Sequence, residues 1–461
     1  MKRAVLPAAC VGYALFCMWT QPGIVTAPDS VEYLQFWPIR TLGYPLFLEL
    51  LGPWAAIKVQ PLLYALVLFW LGQQTLRASG NLALAVAAVV AAMAVPTLRE
   101  YHASILSESL FVSGVTALQA AAIGFFTRPT ARTAALASIV AGLTVTIRNT
   151  AIAFLPVLLV MVMLRWRRLP PARAVVFAAA LLPMVMIAGA ERLAAVAVHG
   201  SRLTSLAGGH LFAKAAMLGG RTGNYTDPVR SDLEDLLDRA APVRSLLSEA
   251  PTAVRDVLSI YYETCLQGPC VGQGRSALTD VERNIALQQI GLERIRQSPG
   301  AFLHLTWINY RSMWVAYRQE YPVTVAALNR FIAAHRPLPV EQEAFRPAPQ
   351  QPIVFLASNR ARYLQLPIVL LGLVTGAIAI AGLGLALLRR DADSLMASAA
   401  VAALCAHGVL LLSALTAAGL SRFMIGVWPA VTMAAILGGA SLLGAGRTGG
   451  RRLQPPPQGE G

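Results

Sequence analysis

PDSVEYLQFWPIRTLGYP, residues 28 to 45, stands between a long apolar segment that ends near residue 26 and another that begins near residue 55. That position puts it at a membrane surface, yet it carries Asp29, Glu32 and Arg40 among Tyr33, Trp37 and Tyr44. Near hydrocarbon an ionisable side chain is costly unless it is paired or meets a polar cavity, so charges here point to a functional site. The plainer reading is a wet interfacial loop held by its tryptophan and tyrosine anchors.

Outward from this loop the chain is strongly apolar. Of 461 residues 56% are hydrophobic and only 13% charged, and the mean hydropathy is +0.57, which excludes an ordinary soluble enzyme. A membrane-spanning helix needs about 20 apolar residues. Ten segments meet that need, at about 4–26, 55–76, 80–98, 105–127, 131–148, 150–166, 173–198, 363–388, 394–417 and 421–444. The expected fold is an all-α polytopic membrane protein, with about ten transmembrane helices and a mainly helical extracytoplasmic domain. Residues 1–198 would carry helices one to seven, with 27–54 as a catalytic first outer loop. Residues 199–361 would form the exported domain, 362–444 the last three helices, and the Gly/Pro-rich 445–461 a disordered cytoplasmic tail.

Charge asymmetry sets the expected orientation. With the N-terminus cytoplasmic, the inner segments collect Lys2, Arg3, Arg77, Arg128, Arg132, Arg165, Arg167, Arg168, Arg173, Arg389, Arg390, Arg447, Arg451 and Arg452 against only Asp391, Asp393 and Glu460. This is the positive-inside pattern, and it places 199–361 outside. The net charge of +15 is then a topology signal, and no basic groove or motif points to nucleic acid as a partner. Lys2, Arg3 and Val25-Thr26-Ala27 also suit a secretory leader, although Pro28 directly after the cut argues against cleavage.

Cys10, Cys17 and Cys405 fall in apolar spans and read as packing residues. Cys265 and Cys270, in CLQGPC, fall in the exported block, where oxidising conditions favour a disulfide over two free thiols. No neighbouring histidine pair supports zinc there.

Other ionisable residues fall at the same expected face. GYPLFLELLG, 43–52, is too short to span and reads as an interfacial helix leading into the second span. TLREYHAS contributes Arg99, Glu100 and His102, and the fourth span opens on Ser107, Glu108 and Ser109. Glu108 either faces the bundle or snorkels to the interface. Arg148 ends the fifth span beside Asn149 and needs an anion, either a carboxylate from another helix or a phosphate. The last span begins SRFMIGVWPAV, with Arg422 at the outer face, and His407 reads as a buried, hydrogen-bonded histidine. In the exported block Thr279 and Glu282 suit a capping box, with Val281, Ile285, Leu292 and Ile295 as one apolar face. Trp307, Tyr310, Trp314 and Tyr317 form an aromatic stripe that would lie on a bilayer or pack on the domain core. Residues 335–352 read as an extended proline-rich connector.

Carboxylates with arginines at a lipid surface suit transfer of a group from a lipid phosphate. A carboxylate takes the proton of the attacking hydroxyl, and arginine steadies the departing phosphate. Because phosphate leaves as an anion, a second carboxylic acid is not required of the protein.

The chain resembles the GT-C superfamily of polytopic glycosyltransferases, in particular bacterial members similar to protein O-mannosyltransferases and the lipid A aminoarabinose transferase. The resemblance rests on PDS followed by Tyr33, RTLGYPLFL, LSESLF, IRNTAIAFLP, and SRF with Pro429, over residues 1–198 and 360–445. It implies inverting transfer of a sugar from a polyprenyl-phosphate donor to a lipid, glycan or protein acceptor, at the outer side of the cytoplasmic membrane. Asp29 and Glu108 would be the catalytic residues, with Asp29 as base, and Arg148, Arg422 and Arg40 would contact donor phosphate. Glu32, Tyr33, Tyr44, Arg99, Glu100 and His102 would bind substrate, and a divalent metal, if used, would sit on Asp29 and Glu108. Ser30 stands where many members have a second acid, Phe423 where tyrosine is frequent and Asn149 where proline is frequent. A transporter or flippase for a lipid-linked sugar would need similar residues, but it should show repeated halves and midplane charges.

Overall fold

The computed structural model describes residues 4–21, 23–26, 29–94, 98–200, 207–218, 280–314, 361–388, 393–417 and 422–444. The expected disulfide at Cys265 and Cys270, the Thr279 cap, the connector 335–352 and the tail 445–461 lie outside them.

Among the described residues the named elements are all helical: α1 (Val5–Trp19), α2 (Ser30–Leu34), α3 (Gly43–Ser79), α4 (Leu82–Met93), α5 (Leu98–Ala103), α6 (Glu108–Thr127), α7 (Ala131–Ile147), α8 (Phe154–Met163) and α9 (Arg173–His199). They continue as α10 (Ala207–Ala216), α11 (Asp280–Gln297), α12 (Pro299–Trp314), α13 (Ala361–Leu387), α14 (Ser394–Thr416) and α15 (Arg422–Leu442). An isolated parallel bridge joins Val25 to Ser104. Six of the helices (α3, α6, α9, α13, α14 and α15) are long and apolar enough to cross a membrane. At the other four expected positions stand shorter apolar helices, Val5–Trp19, Leu82–Met93, Ala131–Ile147 and Asn149–Met163.

Local chemistry sets the ends of these helices. Asn81 accepts the amide of Leu84 at the start of α4, Thr130 and Thr133 form a reciprocal capping box on α7, and Asp393 accepts the amides of Leu395 and Met396 on α14. In α3 the helix breaks at Gly52, with φ 72° and ψ 155°, a region open essentially to glycine, and restarts at Pro53. The break separates the short helix expected over 43–52 from the long one behind it.

Small residues decide how the helices pack. Without a hydrophobic drive between helices in lipid, close approach through Ala, Ser, Thr and Gly provides the contact. Helix α6 is buried along most of its length, and with α14 it brings Ala117, Ala120, Ala121, Ala122, Ala397, Ala400, Ala402 and Ala406 into the interior. On one side of α6 an apolar cluster holds α7, α8, α9 and the end of α12; on the other a second cluster holds α1, α3 and α4. Helices α9 and α13 are apolar but mostly uncovered, as lipid-facing helices would be. Cys10, Cys17 and Cys405 are buried free thiols, in keeping with packing roles.

Two ends of the bundle can be told apart. At one end the fully buried Arg165 donates to the carbonyl of Phe126 and the hydroxyl of Ser394, joining the links that carry Arg128, Arg132, Arg167, Arg168 and Arg173. At the opposite end stand the first loop, the start of α6, the end of α7 and the start of α15.

The apolar face expected on α11 is corrected. Ile285 and Leu292 are exposed, and the buried stripe is Leu287, Ile290 and Arg294. The backbone of Leu211 in α10 lies against Gly291, so the side that admits a close neighbour is the side that is covered.

Candidate functional site

The first loop folds over the head of α6. Helix α2 brings Ser30 and Tyr33 inward, where the Ser30 hydroxyl donates to the carbonyl of Ile105 at 2.9 Å and the Tyr33 hydroxyl meets that of Ser107 at 3.0 Å. At Phe36 the chain enters the left-handed region, with φ 57°, which is strained for a bulky residue. That turn doubles the loop back and lays the Arg40 guanidinium over the Tyr33 ring, 4.9 Å from its centre.

From there Arg40 holds two carboxylates. It is ion-paired to Glu32 and stands 3.4 Å from Asp29, and all three side chains are about one-fifth exposed. The loop is then fastened to the bundle. Thr41 donates to the carbonyl of Ile147 at 3.0 Å, the amide of Leu42 donates to Glu191 of α9 at 3.0 Å, and Gly43 lies so close to Thr146 that a Cβ would come within 2.6 Å of its carbonyl oxygen.

Behind the loop stands a second pair. Glu108 is 2% exposed at the head of α6, where the helix dipole favours a negative charge. Arg148, in extended conformation just past the end of α7, meets it at 2.9 Å. Two aromatic rings flank that guanidinium, Phe111 at 5.6 Å and Phe423 at 5.2 Å. The sequence left open whether Arg148 pairs with a carboxylate or a phosphate; the carboxylate is Glu108.

Tyr33 links the two pairs. Burial raises its phenol above the ordinary value, Glu108 adds to that rise, and Arg40, Arg148 and the Ser107 hydrogen bond oppose it. The phenol therefore stays protonated and lies within the fields of both arginines and of Glu108. Asp29, Glu32, Tyr33, Arg40, Glu108 and Arg148 thus form one constellation built from three parts of the chain, the first loop, the head of α6 and the end of α7, with Phe423 from a fourth.

The remaining expected site residues lie differently. Tyr44 is buried under Tyr33, with ring centres 5.0 Å apart edge to face. His102 points into the bundle, bonded to Tyr13 at 3.1 Å and Ser109 at 2.7 Å, and burial holds its imidazole down to about 3. Arg99 and Glu100 pair with each other at 3.0 Å on the exposed side of α5. Arg422 starts α15, and its side chain lies outside the described residues.

Sequence reasoning passed over three residues as site members. Ser107 and Phe111 sit in the quoted LSESLF, but only the fold shows that they face Tyr33 and Arg148. Glu191, near the outer end of α9, accepts the backbone amide of Leu42, a contact that nothing in its own segment of sequence marks.

Chemically, the site offers partly desolvated carboxylates beside fixed guanidinium groups, a setting for anions and for proton abstraction from a hydroxyl. It does not fit a dedicated divalent cage: Asp29, Glu32 and Glu108 each face an arginine, and among the described residues no three His, Cys, Asp or Glu gather to hold a metal. No family model, curated protein or solved structure matches this chain.

Proposed function

We propose that this protein is a polytopic membrane glycosyltransferase of the GT-C type, moving a sugar from a polyprenyl-phosphate donor to a lipid, glycan or protein acceptor. In this reading all ten apolar segments cross the cytoplasmic membrane of a bacterium, both ends are cytoplasmic, and the site faces the outside. The observation that carries it is the pairing of Asp29 and Glu32 with Arg40, and of Glu108 with Arg148, at the end of the bundle opposite the arginine-rich links.

In the proposed reaction Asp29, the carboxylate on the looser contact to Arg40, takes the proton of the acceptor hydroxyl. The hydroxyl oxygen attacks the sugar carbon, and the bond to phosphate breaks with its electron pair on the phosphate oxygen. Arg148 and Arg422 carry that charge, and Glu108 holds Arg148 in place until the anion arrives. Placement of the charges at one end, in place of the midplane site expected of a transporter, favours the enzyme over a flippase.

Mass spectrometry of envelope glycolipids and glycoproteins, with and without the gene, tests the reading. Loss of one glycosyl modification, with accumulation of its polyprenyl-phosphate sugar, is the expected result. Loss of every modification that uses that donor, with the donor held on the cytoplasmic face, would point to the flippase.

A further inference from the structure

We infer that α12 is a re-entrant helix that dips from the exported block into the outer half of the membrane, its Leu303 and Trp307 side turned to lipid acyl chains. The inference rests on reading the long apolar helices as spans and not on the transfer chemistry.

Depth comes from its partners. The Tyr310 hydroxyl is hydrogen-bonded to Nδ1 of His407, and Nε2 of the same ring meets the Thr375 hydroxyl at 3.0 Å. His407 stands nine residues before the end of α14 at Thr416, about 14 Å down the axis at the rise of a helix. The Trp314 ring lies against that of His407, tilted by 31° with ring centres 5.1 Å apart, and it fills the space that a Cβ on Gly372 would need, at 2.7 Å from the indole. Gly372 is eleven residues into α13, about 16 Å along its axis. Both helices therefore put Trp314 roughly 15 Å below their outer ends, which is half of a typical hydrocarbon core.

The inward side of α12 is covered as a membrane helix in a bundle is covered. Leu305, Thr306, Ile308, Asn309, Ser312 and Met313 are buried, and Met313 and Trp314 share an apolar cluster with Ile368, Val409 and Met424. The opposite side exposes Leu303 and Trp307, 63% and 57%. On α13, the helix against which Trp314 packs, Leu370, Leu373 and Val374 are similarly uncovered. Acyl chains are the occupant that fits both faces, because each belongs to a helix whose other side reaches the membrane's mid-depth.

The turn from α11 into α12 is exposed, with Arg296 and Gln297 closing α11. Arg296, Gln297, Pro299 and Gly300 are exposed, and His304, one turn farther, is within reach of headgroups. Arg311, the one arginine or lysine of α12, is half-buried and has interactions of its own, as a charge at that depth requires. In this arrangement the Tyr310–His407–Thr375 chain pins the exported block to α13 and α14.

Spin labels at positions 300, 303 and 307, each on a cysteine-free protein in proteoliposomes, test the inference by collision with oxygen and with a water-soluble nickel complex. All three positions are exposed, so the labels leave the packed side alone. The expected result is that oxygen contact rises and nickel contact falls from 300 to 307, with 307 deeper by about 10 Å. Nickel contact at 307 equal to that at 300 would overturn it. Gly372→Val in the labelled protein should drive the 307 label toward water and leave 300 unchanged, and an unmoved 307 would overturn the wedge at Trp314.

Discussion

At the scale of residues, the site is governed by charges that cannot be left alone. Glu108 is buried beside Arg148, and taking away the cation leaves a carboxylate in a poor solvent. Arg148→Ala should therefore destabilise the protein by about 3–5 kcal/mol, whereas Glu108→Gln with Arg148→Met should cost less than that single change. Thermal unfolding in detergent reads both. His102 behaves in the opposite sense. Its folded value near 3 lies below the usual 6.5, so the unfolded chain binds the proton first as pH falls. Stability should be complete above about pH 6.5 and should decline on acidification toward 3. His102→Gln should flatten that part of the stability profile, and an unchanged acid slope would contradict the assigned burial. Arg422→Ala should weaken donor binding as well as turnover, since it removes charge that meets phosphate already in the ground state. A binding isotherm with the purified donor separates the two.

At the scale of elements, the loop from Asp29 to Leu42 works because its two ends are anchored to different helices. Gly43 lies on the end of α7 and Gly52 turns the chain into the rest of α3. Gly43→Val should push the loop off Thr146 and cost about 1–3 kcal/mol by overpacking, with activity falling more than stability because Arg40 moves with the loop. Comparing turnover with the melting midpoint checks that order. The break at Gly52 was readable from the segment's length, the glycine and the following proline. The doubled-back turn at Phe36 was not, because no glycine or asparagine marks it. Likewise the wrong face was read on α11: periodicity gave Ile285 and Leu292, but the close approach of α10 at Gly291 decided which side is covered.

At the scale of the whole molecule, long apolar stretches made an all-helical, multi-pass architecture legible, since the length of an apolar run is carried by the sequence itself. The order of packing was not, because it depends on alanine and glycine contacts that look alike in sequence: α6 and α14 are buried, while α9 and α13, apolar as well, are mostly uncovered. Topology gathers Asp29, Glu32, Arg40, Arg99, Glu100, His102, Glu108, Arg148 and Arg422 at one face; the fold joins Asp29, Glu32, Arg40, Glu108 and Arg148 and leaves Arg99, Glu100 and His102 apart from them. The division of the joined charges into an Arg40 set and a Glu108–Arg148 pair, joined by Tyr33, needed the fold. In the proposed orientation this constellation faces outward. A cysteine at 230 should react with an impermeant maleimide in intact cells and one at 169 should not; the reverse pattern would place the site on the wrong side for an outward-facing transfer.

The central claim is that Asp29 is the base in transfer of a sugar from a polyprenyl phosphate. Purified protein in proteoliposomes, given a set of labelled polyprenyl-phosphate sugars and an extracted envelope acceptor, tests it most directly. Wild type should transfer one of these sugars, and Asp29→Asn should bind the same donor but transfer it about 10²- to 10⁴-fold more slowly. No transfer by the wild type from any donor, or transfer by Asp29→Asn at the wild-type rate, would contradict the account.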